Sequence, residues 1–262
     1  MQRNRPPFRA DHVGSLLRPK ALHDARAKRA KGEITAEQLK EIEDREIERV
    51  IRKQEEVGLQ SVTDGEFRRS WWHLDFLWGL DGAEKHIMDA GVQFSGMKTR
   101  NEGVKVTGKL DMKAPHPMVE HFKFVAANTK RTPKITIPSP SAIYGRPLRT
   151  PIDKAVYPTM DRFWDDLGQA YKKAVRGFAD AGCRYLQLDE TSLAKLGDPK
   201  IQQALEARGD DWRELIEVYT DALNAVVDGA PKDMHVAMHL CRGNQAGHWQ
   251  AEGGYDLVAE RL

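Results

Sequence analysis

Three times along the chain, apolar residues recur every three to four positions, then bunch into a short apolar run that ends in polar residues. In the first copy Leu39, Ile42, Val50 and Ile51 carry the helical spacing. Thr35 and Gln38 have the form of a capping box, and Gly58 suits the far end, so the pattern predicts a helix over residues 35–57. A strand over residues 59–63 follows and ends in Asp64-Gly65-Glu66. The second copy predicts a helix over residues 161–181, with Gly182 closing it, and a strand over 184–188 that ends in Asp189-Glu190. The third starts at Asp211, an N-cap residue type, runs through Leu215, Val218, Ala222, Leu223 and Val226 to Gly229, and leads into a strand over 235–240.

Helix, glycine, strand and polar cluster in that order are the rhythm of a parallel α/β protein, whose chemistry sits at the carboxyl ends of its strands. Two more strands fit the pattern, one over residues 8–13 and one over 134–137 before Pro138, which makes five. Between Ser70 and Arg131 the rhythm breaks. Val104-Lys105-Val106-Thr107-Gly108 alternates, and Asn101-Glu102-Gly103 has turn chemistry, so a β-hairpin insertion after the second strand is expected. No low-complexity tract or linker divides the chain, which reads as one domain over residues 1–262, with Arg261-Leu262 inside a helix after the fifth strand.

Composition narrows the class. The chain has 262 residues, 40% apolar and 31% charged, as a folded globular domain does. Its 41 basic and 39 acidic residues are interspersed and give a net charge of +2, so no basic footprint for nucleic acid stands out. No apolar run approaches the roughly 20 residues of a membrane helix, and the N-terminus lacks the apolar stretch of a secretory leader. The only two cysteines are Cys183 and Cys241, no disulfide framework, and a reducing cytoplasm is the expected setting. One opens a strand and the other closes a strand, so they should lie about 20 Å apart, too far for a bond to each other.

His239-Leu240-Cys241 is the sharpest chemical feature. Alternate strand residues face one side, so the imidazole and thiol converge, and that donor pair favours zinc. Such a pair also occurs as a buried histidine beside an apolar cysteine. Asp189 shares a face with Gln187 and Tyr185, an inward polar run that suits ligand contact; the alternative is an acidic helix cap, a role open to Glu190 as well. Glu66 could hold an ammonium group or pair with Arg68 or Arg69. Gly14-Ser15 offers backbone N–H groups for a carboxylate, or is a plain turn. Trp71, Trp72 and Trp78 could line a pocket for a flat ring, or be core.

Taken together, Asp11-His12-Val13-Gly14-Ser15, Thr63-Asp64-Gly65-Glu66-Phe67, Ile137-Pro138-Ser139-Pro140, Gln187-Leu188-Asp189-Glu190 and His239-Leu240-Cys241 stand in the order and spacing of the cobalamin-independent methionine synthases. The chain resembles the short, single-barrel members of that family. The resemblance implies a (β/α)8 barrel, zinc as cofactor, and methyl transfer from a methyl-folate-type donor to the thiol of homocysteine, giving methionine. It implies that His239 and Cys241 ligate the zinc, that Gly14, Ser15 and Glu66 hold the amino and carboxylate groups of the substrate, and that Asp189 contacts substrate. Transfer from a folate nitrogen calls for a proton donor, and Asp189 acting through water is the candidate. The family's other two protein ligands, a glutamate and a second cysteine, belong to later strands with no counterpart here. About five of eight strands are therefore expected, in an incomplete barrel lacking its C-terminal strands. A related zinc-dependent alkyltransferase acting on another thiol, and a truncated chain without activity, stay open as alternatives.

Overall fold

In the computed structural model, residues 5–145 and 150–262 are described. Met1 to Asn4, part of the N-terminal stretch read above as lacking a leader, lie outside them. Two helices come first, α1 (Lys20–Ala30) and α2 (Ala36–Glu56). The capping box that starts α2 is complete: Gln38 N donates to Thr35 Oγ1 at 3.2 Å and Thr35 N to Gln38 Oε1 at 2.9 Å, a device worth about 1 kcal/mol. The chain then enters β1 (Ser61–Val62), the short helix α3 (Leu74–Leu77), an excursion of β2 (Asp81–Ile87), β3 (Gln93–Phe94), β4 (Met97–Lys98) and β5 (Glu102–Asp111), and helix α4 (Met118–Asn128). After it come β6 (Thr132–Pro133), β7 (Ile135–Pro138), α5 (Met160–Asp180), β8 (Tyr185–Glu190), α6 (Pro199–Ala207), α7 (Trp212–Asp228) and β9 (His235–Leu240).

The strands that position the site are parallel. β1 pairs with β6, the ladder runs on as Lys134 N donates to Val62 O at 2.9 Å, and β7, β8 and β9 follow in that order. Register puts Thr136 beside Gln187 and Ala237, and Pro138 beside Asp189 and His239. One face of the sheet therefore carries Thr136, Gln187, Asp189 and His239. The other carries Ile135, Ile137, Leu186 and Leu188, buried in the main apolar core with Phe163, Tyr171, Phe178 and Tyr219 of α5 and α7. A second apolar cluster joins Leu22, Ile47, Ile51, Val62, Phe67 and Val125, which seats α1, α2 and α4 on β1. β9 has β8 on one side, and Met238 on its outward face is 39% exposed.

Several expectations are corrected. Residues 8–13 form no strand. Their carbonyls are taken by side chains instead of a ladder: Lys134 Nζ donates to His12 O at 2.6 Å, Gln187 Nε2 to Val13 O at 2.8 Å, and Thr63 Oγ1 to Gly14 O at 2.8 Å. Asn101-Glu102-Gly103 is not the hairpin turn. Glu102 and Gly103 pair with Ile87 and His86 inside the β2–β5 ladder, and the reversal lies further out, between β3 and β4. The chain end holds only a 3-10 turn, Ala259–Arg261, rather than a helix. The described strands form no closed barrel. The fold is α/β, a parallel sheet flanked by helices, with the β2–β5 excursion inserted after β1.

Candidate active site

Asp189 on β8 and Glu66 in the turn after β1 anchor the candidate site. Asp189 is the fifth residue of β8 and is 3% exposed. Gln187, two residues earlier on the same face, donates to its Oδ1 at 2.7 Å. Burial raises the Asp189 carboxyl to about 7, with Glu66's charge pushing the same way and the Gln187 hydrogen bond, Arg69 and Lys134 opposing. Glu66, 2% exposed, follows β1 in a tight turn where Asp64 Oδ1 accepts its N–H at 2.8 Å. Its φ of +60° is a left-handed conformation that a side chain adopts at a cost, the kind of strain concentrated at working sites. Glu66 Oε1 accepts from Thr136 Oγ1 at 3.0 Å and from Arg69 Nη1 at 3.3 Å. Burial still raises its proton affinity, against the pull of Arg69.

The alternatives left open by the sequence resolve in part. Glu66 does pair with a neighbouring arginine, Arg69, while Arg68 pairs with Glu43 and Asp44. Arg69 is itself 1% exposed and its Nη2 is bound to Thr136 O at 2.6 Å. It acts as a fixed brace behind the carboxylate. The capping role falls to Glu190, not Asp189: Ser192 N and Leu193 N donate to Glu190 Oε1, and Ser139 and Ser141 hydroxyls to its Oε2. Trp71 and Trp78 pack against the main apolar core and are tied to the insertion. Trp71 Nε1 donates to Glu102 at 2.9 Å and Trp78 Nε1 to Gly103 O at 2.9 Å.

Gly14 sits against Thr136. Its φ is +126°, and a Cβ there would lie 2.7 Å from Thr136 Cγ2, so only glycine lets the backbone approach the strand this closely. Ser15 beside it is exposed. Thr136 thus touches both Gly14 and Glu66, and Gln187 links Val13 to Asp189. Arg69 was open in the sequence only as one of two possible partners of Glu66, and Thr136 was not singled out, though it lies two residues before Pro138 on the strand that pairs with β8.

His239 is half-buried on the Asp189 face of β9, with burial and the charge of Lys134 both lowering its proton affinity. Cys241, one residue past the strand, is a free thiol whose sulfur accepts from Gly243 N at 3.3 Å. Cys183 is free and fully buried, its thiol pushed up to about 12 by burial. Among the described residues no three His, Cys, Asp or Glu side chains gather as a metal set. A tight zinc site takes at least three protein ligands, so His239 and Cys241 do not complete one. Among the described residues no helix is long and apolar enough to cross a membrane.

The comparisons with known proteins agree with one another. YxjH, an uncharacterised protein of Bacillus subtilis, is 48% identical over this whole chain, which covers 68% of it. A Listeria monocytogenes protein, solved as a candidate vitamin-B12-independent methionine synthase, superposes with a TM-score of 0.74 at 43% identity, over 90% of this chain and 66% of its own. The 5-methyltetrahydropteroyltriglutamate–homocysteine methyltransferase of Flavobacterium johnsoniae is 27% identical over 239 residues, which cover 91% of this chain and 29% of that enzyme. The chain thus spans about two-thirds of its shorter relatives and under a third of the long one. Residues 8–248 match the model of the cobalamin-independent synthase catalytic domain, and the chain belongs to that family.

Proposed function

We propose that this site binds a homocysteine-like amino acid for methyl transfer onto its sulfur, giving methionine, with a methyl-folate-type molecule as donor. The observation that carries the reading is the pair Glu66 and Asp189: two buried carboxylates, one in the turn after β1 and one on β8, close enough for the charge of one to raise the proton affinity of the other. Such a pair is costly alone and is relieved by a cation between its members. The ammonium of an amino acid is that cation. Gly14 and Ser15 then offer backbone N–H groups to its carboxylate, which would point the sulfur toward His239 and Cys241.

In this reading Asp189 has a second task. A carboxyl raised to about 7 still carries a proton near neutrality, as a donor to a departing folate nitrogen needs. His239 and Cys241 are this chain's two donors toward zinc, and the described residues do not complete its site. The accompanying fold is a (β/α)8 barrel, of which the four parallel strand lines supply part of the wall.

Calorimetric titration with L-methionine and L-homocysteine tests the reading. Binding is expected in the native chain, and Glu66→Gln should weaken it by roughly ten-fold or more, about 1.4 kcal/mol. No binding, or equal binding by Glu66→Gln, would remove the basis for the proposal.

A further inference from the structure

The insertion touches the chain at a place its sequence position does not suggest. It leaves the sheet after β1, yet its tip lies against the loop that follows β9. Ser95 N donates to Trp249 O at 2.8 Å. A Cβ on Gly96 would lie 3.3 Å from the His248 ring, so that ring covers the turn. In strand order β1 and β9 stand three spacings apart, about 14 Å at ~4.8 Å each. The insertion therefore joins the segment that follows β1 to the loop that follows β9, both at the carboxyl ends of their strands.

The contact converges on one residue. Gly243 has φ +90°, and a Cβ there would lie 2.7 Å from Gln250 Cβ and 3.0 Å from Phe94 Cε1. The Phe94 ring of the tip and Gln250 thus close like two jaws of a wedge on the side of Gly243 that a Cβ would occupy. Gln250 is itself held, its N–H bound to Arg242 O at 3.2 Å and its Oε1 accepting from Lys195 Nζ at 3.1 Å. The N–H of the wedged glycine donates to the Cys241 sulfur at 3.3 Å.

We propose that Phe94 is a positioning residue for Cys241: by packing on Gly243 it fixes the N–H that orients the thiol. This rests on the placement of Cys241 in the proposed site. It gives the insertion a role in that site, since the tip holds the end of β9 in one conformation. Without the Phe94 ring, the loop has lost one jaw of the wedge, and the thiol swings free of its N–H donor.

The two cysteines make this measurable without substrate or metal. Cys183 is fully buried with its thiol pushed up to about 12, so a thiol-exchange reagent at pH 7.5 reports Cys241 alone, with Cys241→Ser as the blank. Phe94→Ala should speed native-state labelling by about five-fold or more, because a thiol released from local structure is open to reagent. Phe94→Leu, which refills most of the wedge, should return the rate to within about two-fold of the native value. Gly243→Ala attacks the wedge from the other side and should match Phe94→Ala. If Phe94→Ala does not fold, Gly243→Ala and Phe94→Leu carry the test. An unchanged rate in folded Phe94→Ala or Gly243→Ala overturns the proposal. So does a faster rate shared by Cys183, which is general loosening. Methionine binding is read separately, so failure here is distinct from failure of the amino-acid site.

Discussion

Asp189 concentrates the physics of the site in one side chain. In the unfolded chain an aspartate loses its proton near pH 4, whereas in the fold Asp189 keeps it to about 7. Between those values the native state binds more protons than the unfolded one, so stability from this group falls as pH rises from about 4 to 7, and the penalty is complete above 7. Asp189→Asn removes the ionisation and keeps the shape. It should leave stability nearly unchanged at pH 4.5 and raise it by roughly 2–4 kcal/mol at pH 8, a ceiling lowered by relaxation around the site. Urea denaturation at the two pH values reads the difference, and an equal effect at both would show that Asp189 is not held protonated. Gly14 gives a converse case. Gly14→Ala forces a methyl group to 2.7 Å from Thr136 at a φ that L residues avoid. It should cost about 1–3 kcal/mol and weaken methionine binding as Thr136 shifts from Glu66; a neutral Gly14→Ala would mean that the close approach is not needed. Glu66, Asp189, His239 and Cys241 could be picked out as candidates because each follows or ends a short apolar run; Gly14 could not on that ground, since the residues before it form no strand. Arg69 was readable only as a sequence neighbour of Glu66 and Thr136 not at all, because the bonds that tie them into the site cross 67 and 70 residues of sequence, which no local pattern encodes.

At the level of elements, legibility follows amphipathic contrast. α5 and α7 were readable because each buries one mainly apolar stripe and carries polar residues elsewhere; α2 was readable from its apolar spacing and capping box, although it buries Glu43, Glu46 and Gln54 beside Ile47 and Ile51. α1 buries only Leu22 and Ala25, too narrow a stripe to register. α6 carried a usable sign that went unread: Asp198 caps it, accepting from Lys200 N at 2.8 Å, and Pro199 occupies its first turn. The segment at residues 8–13 was read as a strand from its composition, yet it is tied down by side chains. Asp11 is its hub, bound by Lys134 Nζ at 3.2 Å, by Ser61 Oγ at 2.7 Å and by the Tyr185 hydroxyl. Burial alone would raise the Asp11 carboxyl, but these partners outweigh it and hold it below the ordinary aspartate value. Lys134 is buried too, its proton affinity lowered by burial and supported by Asp11. Lys134→Met therefore removes the cation from an Asp11 that keeps its Ser61 and Tyr185 donors, and frees the His12 carbonyl. It should cost about 1–2 kcal/mol, and Lys134→Met with Asp11→Asn should cost less than the two single changes added. Additive losses in urea melts would show that the pair does not act as one unit.

Across the whole molecule, the proposed reading divides the site into parts the described residues assemble and parts they do not. On that reading the amino-acid end is complete in kind: two carboxylates for an ammonium, a glycine-lined turn for a carboxylate, and a buried arginine brace. The metal end offers one imidazole and one thiol on and just beyond β9. Zinc held by two protein donors keeps most of its bonds to water, and its affinity falls accordingly, since each missing ligand removes both a bond and part of the preformed geometry. A gradient therefore runs across the mouth, from a sealed, braced carboxylate pair to a half-exposed donor pair at the end of the sheet. That gradient predicts a separation of two activities usually found together. The purified 262-residue chain should bind L-methionine yet retain well under one zinc per chain after gel filtration, and its methyl transfer to homocysteine should be negligible even with zinc in the buffer. Elemental analysis beside the calorimetric titration measures both on one sample. Stoichiometric zinc that survives gel filtration would show that donors beyond His239 and Cys241 are recruited, and the division drawn across the mouth would then fail.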